Sequence, residues 1–524
     1  MIPLDEIRIC KADAINYYRG DDQEFLNKIF FSDIRFKKVL ESKIYFLQGD
    51  KGTGKTAFAV YNSNNETENI KSSLKFTSET DFKKFIRLIE SGKINISDFV
   101  GIWKVILLLL ISQELESILD GNLITNFLTL SKLDKAIKRY YKSAFFPEIS
   151  NAIEIIDKAE VFLEILKNIK AGASSSEKIE KTGFQINLHE IENEFKKALI
   201  DIKLKKSFIL FVDGTDQIPF DVKRAKYVEC LRGLANAIWE LNQLFFPEIF
   251  HKKHPTNFIK IVLLIRPDIF SIIRFHNANA KLKDNSVLLS WITTETNYKN
   301  SRLFKMIDNS LASQQTSKFA LGYSWDAYVD KTFEICHANK TEILPSFISI
   351  LRRTFMRPRD LFAFLDIMQA RALRENSNKI TSKIFNSSIP EFSRYLLGEV
   401  KDQFNFFHDD YEWGILFDFF NYFDGTIKFD FQFFEETFNR FLEDYPSENP
   451  DVFESPYVLL QSLYTSNIIC YIEYSNNETF YHWSYKEKSY TNIEPLVEYE
   501  SEYQFHIGLL KAIGLGQRIN RKRH

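Results

Sequence analysis

No C-x-x-C pair occurs in this chain of 524 residues, and its four cysteines, Cys10, Cys230, Cys336 and Cys470, stand far apart. That spacing supports neither a zinc site nor a disulfide framework, and a reducing compartment fits. Glycine is scarce at 18 residues while phenylalanine reaches 50, so bulky packing groups far outnumber flexible turns. Charge of one sign is also missing: 68 Lys plus Arg face 70 Asp plus Glu, for a formal net charge of −2. No global basic field draws the chain onto nucleic acid or an anionic membrane, so any such contact must be local. The most apolar run, Val105 to Ile111, is far shorter than the ~20 residues a bilayer needs. The opening M-I-P-L-D-E-I-R lacks the basic-then-apolar pattern of a secretory signal. A soluble, cytoplasmic protein is expected.

What is present is an ordinary globular composition, 45% hydrophobic and 26% charged, which excludes a mostly disordered chain. The length predicts two to four domains. Ile44 to Leu47, Phe208 to Val212 and Ile259 to Ile265 read as short buried strands. Helical patterns at Ala57–Tyr61, Ile102–Leu119 and Val222–Phe245 lie between them. Strand, helix, strand, helix is the rhythm of a parallel α/β sheet. Ala171 to Gly183, with Ser174, Ser175 and Ser176, reads as a loop inside a helical insertion. From Ile343 to Arg374 the pattern is helical, with Pro358 setting a helix start. Beyond Pro390 come helical patterns near 411–423, 431–444 and 456–465. A hairpin follows over Ile469–Tyr474 and Thr479–Tyr485, joined by Ser475-Asn476-Asn477-Glu478. Three helices and a hairpin outline a winged helix. A last apolar helical pattern covers Phe505 to Leu515 and holds His506, read as a core or cap residue. No internal repeat is visible.

The residues Gly49-Asp50-Lys51-Gly52-Thr53-Gly54-Lys55-Thr56 match G-x-x-x-x-G-K-[ST] in full, between a strand and a helix that continues into Ala57. Gly49, Gly52 and Gly54 admit backbone conformations and close approaches that a Cβ would block, so successive N–H groups can curl around phosphate. The helix start adds its positive end. Lys55 then reaches the β- and γ-phosphates with an ammonium expected to face solvent, and the Thr56 hydroxyl ligates Mg²⁺. A phosphate loop also needs an acidic partner on a neighbouring strand. Asp213, at the carboxyl end of a buried strand, supplies it. Asp216 completes D-G-T-D and is assigned to positioning or deprotonating water, with a helix N-cap as its alternative role.

Arg266 leaves the strand Ile259–Ile265 and is a candidate γ-phosphate sensor, or the partner of Asp268 in a salt bridge. Arg359, behind Pro358, can swing over a nucleotide from a helix start, and Arg357 can share that role. His251-Lys252-Lys253-His254 reads as a solvated loop and not as a metal site. The tail Arg518, Arg521, Lys522, Arg523 and His524 is a basic end of the kind that can touch phosphates. No Ser/His/Asp or Cys/His set and no nuclease-like carboxylate–lysine cluster stands out.

The loop G-D-K-G-T-G-K-T-A, the D-G-T-D strand end, L-L-I-R-P-D and the R-P-R-D helix resemble a family of bacterial P-loop ATPases akin to STAND and AAA-like NTPases. Their layout is that of origin-recognition ATPases, and the likeness spans about residues 40 to 515. The resemblance implies a segment 1–42 packing on a P-loop core of 43–340, with a helical insertion over about 97–200. A helical lid at 341–388 and a winged-helix-like domain with a basic tail at 389–524 follow. By matching motif, residues 49–57 and Arg266 contact ATP, Thr56 and Asp213 hold Mg²⁺, Asp216 is the second acid and Arg359 the lid sensor. Gln217 stands where many relatives carry a further acid, which implies weak hydrolysis. The expected role is a nucleotide-dependent switch with a protein partner or self-assembly, often in antiviral defence. The alternative is an ATPase tethered to DNA by its winged helix. The segment 431–444 is read as the recognition helix, and its charges (Asp430, Glu435, Glu436, Glu443 and Asp444 against only Arg440) repel phosphate and weigh for protein contact.

Overall fold

A computed structural model describes residues 1–18, 20–77, 99–118, 192–193, 195–196, 199, 204, 206–216, 218, 222–251, 257–273, 278–337, 340–445, 450–475 and 478–516. Most of the expected insertion, Gln217, the loop 171–183, residues 252–254, the Asn476-Asn477 turn and the basic tail lie outside these. The chain divides into two compact units. One holds Asp33–Gln48 and Lys55–Leu288, the sheet unit; the other holds Met1–Ser32, Gly49–Gly54 and Leu289–His524, the C-terminal unit.

The sheet unit carries five parallel strands: β1 (Phe46–Gln48), β2 (Ile70–Phe76), β3 (Ser207–Asp213), β4 (Ile259–Ile265) and β5 (Ser286–Leu288), in the order β2-β3-β4-β1-β5. β3 and β4 are buried along all seven residues, as a sheet covered on both faces requires. Helix α1 (Ile34–Val39) and helix α2 (Lys55–Asn64) meet through Phe36 stacked on Phe58, and Phe58 turns its edge to Phe211 of β3. Helix α3 (Phe99–Ile118) is buried on nearly every side because α4 (Arg224–Glu240) covers it. Gly233 makes that approach possible: a Cβ there would stand 2.5 Å from Phe99 Cβ. Within the apolar run of β4, Lys260 is fully buried and donates to the carbonyls of Val39, Glu41 and Ile44, so it caps the end of α1.

In the C-terminal unit, α5 (Arg302–Ala312) precedes an antiparallel hairpin of β6 (Thr332–His337) and β7 (Lys340–Pro345), then α6 (Ser346–Leu351), α7 (Pro358–Arg374) and α8 (Ser382–Phe404). Ile343 to Pro345 is thus strand, where the sequence pattern reads helix, because cross-strand pairing to Thr332–Glu334 overrides a short ambiguous run. α8 runs unbroken through Pro390, so the expected boundary at 389 falls inside a helix. Phe364 of α7 stacks flat on Phe392 of α8, ring centroids 4.0 Å apart, which locks the two helices side by side. The segment 1–32 also packs within this unit: Gln369 of α7 donates to the carbonyls of Leu4 and Ile7 at 2.7 Å.

Past α8 come α9 (Asp410–Phe419), β8 (Lys428–Asp430), α10 (Phe431–Asp444), α11 (Pro456–Thr465), β9 (Ile469–Ser475), β10 (Glu478–His482) and β11 (Glu502–Phe505). The strands form one antiparallel sheet in the order β10-β9-β11-β8. Much of the phenylalanine excess is used here. Phe419, Phe423, Phe429, Phe434, Phe441, Phe453 and Phe505 meet edge-to-face, stacked or tilted in one core. The expected helix over Phe505–Leu515 is instead the last residue of β11 followed by turns. His506 is a core residue, between the rings of Phe355 and Trp483, with Nδ1 accepting from Gly508 N–H at 3.2 Å.

Burial, and then the charge of Lys486, push the His506 imidazole down to about 3. The folded chain holds it neutral while the unfolded chain protonates it near the ordinary ~6.5. Stability is therefore lost as pH falls from ~6.5 toward that depressed value, at up to about 1.4 kcal/mol per pH unit from this group alone. His506→Gln keeps an acceptor for Gly508 and has no charge to gain. Denaturant midpoints from pH 7 to 5 should converge for wild type and variant as pH falls; parallel curves would refute the assignment.

Candidate functional site

In the sheet unit, β1 ends at Gln48 and α2 begins at Lys55, so the motif has strand before and helix after. Thr56, the second residue of α2, donates its hydroxyl to Asp213 Oδ2 at 2.6 Å. The other oxygen, Oδ1, accepts from Gly214 N–H at 2.8 Å. Gly214 takes φ +96°, and a Cβ on it would lie 2.5 Å from the Thr77 carbonyl oxygen, so only glycine suits this position. Thr77, just past β2, in turn donates both its N–H and its hydroxyl to the Asp213 carbonyl. The backbone at the end of β3 is thereby fixed, and with it the carboxylate. Burial, and then the charge of Asp216, raise the Asp213 carboxyl above the ordinary range, while the Thr56 hydrogen bond and Lys55 oppose the rise.

Asp216 Oδ1 is buried with no hydrogen-bond partner among the described residues. It does not cap the next helix, since α4 starts at Arg224 with Lys223 as its N-cap. Thr215 between the two acids is buried and anchored, its hydroxyl on Leu264 O and its carbonyl on Tyr227 Oη. Lys55 is only 6% exposed, which corrects the expectation of a solvent-facing ammonium. The first turn of a helix packed on a sheet leaves little open surface. Arg266 is 2% exposed, and its Nε donates to Asp268 Oδ1 at 3.0 Å with a second bond from Nη2 to Oδ2. The salt-bridge alternative describes its state here.

In the C-terminal unit, the six residues Gly49–Gly54 are held by several side chains. Gly52 (φ +85°) accepts Arg359 N–H on its carbonyl at 3.3 Å, and a Cβ on Gly52 would sit 2.9 Å from Arg359 Cβ. Gly54 also has positive φ, +95°. Gly49 faces Thr53, whose Oγ1 would be 2.4 Å from a Cβ. Thr53 donates that hydroxyl to Asp50 O, and its own carbonyl receives Trp291 Nε1 at 2.9 Å. Asp50 takes Lys488 Nζ at 2.9 Å, and Lys51 pairs with Glu399 and Asp402 of α8. Arg359 points its guanidinium to Glu399 and to the carbonyl of Ala12. Arg357, by contrast, is buried against Asp360, its Nη2 2.8 Å from Oδ1. Pro358 stands at the first position of α7, so the two arginines on either side of it face different surroundings.

Trp291, Thr77, Glu399, Asp402 and Lys488 escape the sequence reading because none belongs to a phosphate-loop motif. Ala57 lies in the first turn of α2. No helix among the described residues is long and apolar enough to cross a membrane.

Fold and site define an α/β protein with a five-stranded parallel sheet and a C-terminal helical region. Residues 301–401 match the family of FunZ-associated C-terminal helical domains. That stretch runs from α5 into α8 and contains Arg357, Arg359, Asp360 and Glu399. No curated protein and no solved structure matches the chain.

Proposed function

We propose that the chain is an ATP-binding, slowly hydrolysing P-loop ATPase of the STAND/AAA-like kind, acting as a nucleotide-dependent switch in a bacterial defence or signalling complex. The observation that carries this reading is the 2.6 Å hydrogen bond from Thr56 to Asp213. A hydroxyl from the phosphate-loop helix and a carboxylate from a neighbouring strand end are the two hard oxygen donors that Mg²⁺ takes from such proteins. Thr56 and Asp213 would hold the Mg²⁺ ion, which would supply charge to offset that of the phosphates. Lys55 would bind the phosphate oxygens, Asp216 would orient water, and loop N–H groups would carry the rest of the phosphate. Weak turnover follows from Gln217 in place of a further acid.

The switch half of the proposal is supported by the ties on Asp50, Lys51 and Gly52. A loop that changes shape around phosphate pulls directly on α7, α8 and Lys488, so ATP and ADP can favour different arrangements. Arg359 is the arginine suited to respond, since its backbone already holds the loop. Helix, strand, helix, helix and hairpin from α9 to β10 is the order of a winged helix, whose third helix is then 456–465. That segment contains no Lys or Arg. This assignment replaces 431–444 as the recognition helix and weighs against the DNA-tethered alternative.

Asp213→Ala should weaken Mg²⁺-dependent ATP binding about tenfold or more, by loss of a metal ligand. Asp216→Asn should bind ATP normally and hydrolyse it about 10²-fold more slowly. Calorimetry with and without Mg²⁺, beside phosphate release, distinguishes them. An Asp213→Ala protein with undiminished Mg²⁺ dependence would sink the site assignment, and full turnover in Asp216→Asn would pass the water to Gln217.

A further inference from the structure

β10 is the outer strand of its sheet, and one of its sides is paired with β9 while the other has no strand beside it among the described residues. Half its N–H and C=O groups point away from β9, as in any antiparallel edge. Natural edges are commonly blunted by lysine, proline or a bulge. β10, Glu478-Thr479-Phe480-Tyr481-His482, has none of these. It presents large rings instead: Phe480 is 43% and Tyr481 44% exposed, on opposite faces of the strand. Register puts Glu473 directly beside Phe480 on one face, and Tyr474 is exposed on the face of Thr479 and Tyr481.

A second observation says what such an edge would accept. Between the end of α8 and the end of β11, residues 405–505 contain 20 acidic and 4 basic side chains, a net −16 in a chain whose total is −2. The remainder carries +14. The four bases are already counted in that figure, and three of them are held in ion pairs, Lys428 with Glu502, Arg440 with Asp424 and Lys488 with Asp50. Two such edges would repel each other, so pairing of β10 with its own copy is disfavoured. Nucleic acid is repelled for the same reason.

We propose that the free edge of β10 takes up an extended Lys- or Arg-bearing segment of a partner protein as an added strand. Backbone groups of the incoming segment complete the ladder. Its cations, spaced every second residue, lie over the Phe480 ring beside Glu473, or over Tyr481 on the other face. The acidic field speeds encounter and rejects acidic segments. The inference does not rest on the nucleotide reading, and Lys55→Ala should leave it intact.

The test uses the full chain and labelled decapeptides followed by fluorescence anisotropy. One peptide alternates Lys and Thr, a second alternates Glu and Thr, and a third is the Lys–Thr peptide with a central Pro. The Lys–Thr peptide should bind, with the Glu–Thr peptide at least about tenfold weaker. The Pro peptide, equal in charge but unable to extend the ladder, should also lose about tenfold. Phe480→Ser/Tyr481→Ser should lose a similar factor without changing any charge, and residues 478–482 should gain amide protection when the Lys–Thr peptide binds. Equal binding of the Pro peptide, an unaffected double variant, or no binding below about 1 mM would each overturn the proposal. Self-association in sedimentation that the double variant abolishes would give the edge to a second copy and overturn it as well.

Discussion

Lys55→Ala is expected to remove Mg·ATP binding while the chain stays folded. The lysine opens α2, directly after the glycine loop, where on the proposed reading a cation and the positive end of a helix would act on the same phosphates. Charge-assisted hydrogen bonds are worth about 1.5–3 kcal/mol each. Losing contacts to both β- and γ-phosphate therefore lowers affinity by about 10²-fold or more. Because the side chain is largely buried, the variant must be compared with wild type by denaturation as well as by calorimetry. A truncated aliphatic stem costs some packing, so a modest fall in midpoint is compatible with the assignment. Equal ATP affinity in a folded variant would remove the P-loop assignment altogether.

The second large effect lies in the C-terminal unit. Asp360 is fully buried and accepts Phe355 N–H at 3.0 Å as well as the Arg357 guanidinium. Asp360→Ala leaves a buried arginine without its carboxylate and a backbone N–H without its acceptor. Breaking a buried pair in this way costs about 3–5 kcal/mol. Urea denaturation should show that loss, and the double replacement Arg357→Leu/Asp360→Leu should recover much of it because no charge is left stranded. Arg359→Ala is the natural control, since its ion pair with Glu399 is partly exposed and contributes little. A loss below about 1 kcal/mol in Asp360→Ala would mean that water or another carboxylate reaches Arg357.

The contrast between Arg357 and Arg359 shows where sequence reading runs out. Both flank Pro358 and neither differs in composition of neighbours enough to rank them. Their separation comes from helix geometry at Pro358, which turns one toward Asp360 and the other toward Gly52. Lys260 is a similar case: it sits in an otherwise apolar strand, and only the carbonyls of Val39, Glu41 and Ile44 explain how its amine is accommodated.

β1, β3 and β4 are legible because strands covered on both faces are nearly continuous apolar runs. α7, α10 and α11 are legible from Pro358 and from the helical patterns at 431–444 and 456–465. β2, with Ile-Lys-Ser-Ser-Leu-Lys-Phe, is not, since its strand character depends on pairing with β3 along all seven residues. β7, β8 and β11 are short segments decided by their cross-strand partners.

The proposed phosphate-loop chemistry is read from the sequence itself, because spacing within eight consecutive residues fixes which groups can surround a phosphate. The acid at the end of β3 is also local information, an Asp terminating a buried run. The strong negative charge of 405–505 is equally present in the sequence, yet it emerges only once the fold sets the limits over which to count. What the tertiary structure alone decided is which side chains hold the loop. Lys51 meets Asp402 across 351 positions and Asp50 meets Lys488 across 438, separations at which no periodicity carries a signal. Such pairs are chosen by the packing of whole helices and strands, so they can be read only after the chain has folded.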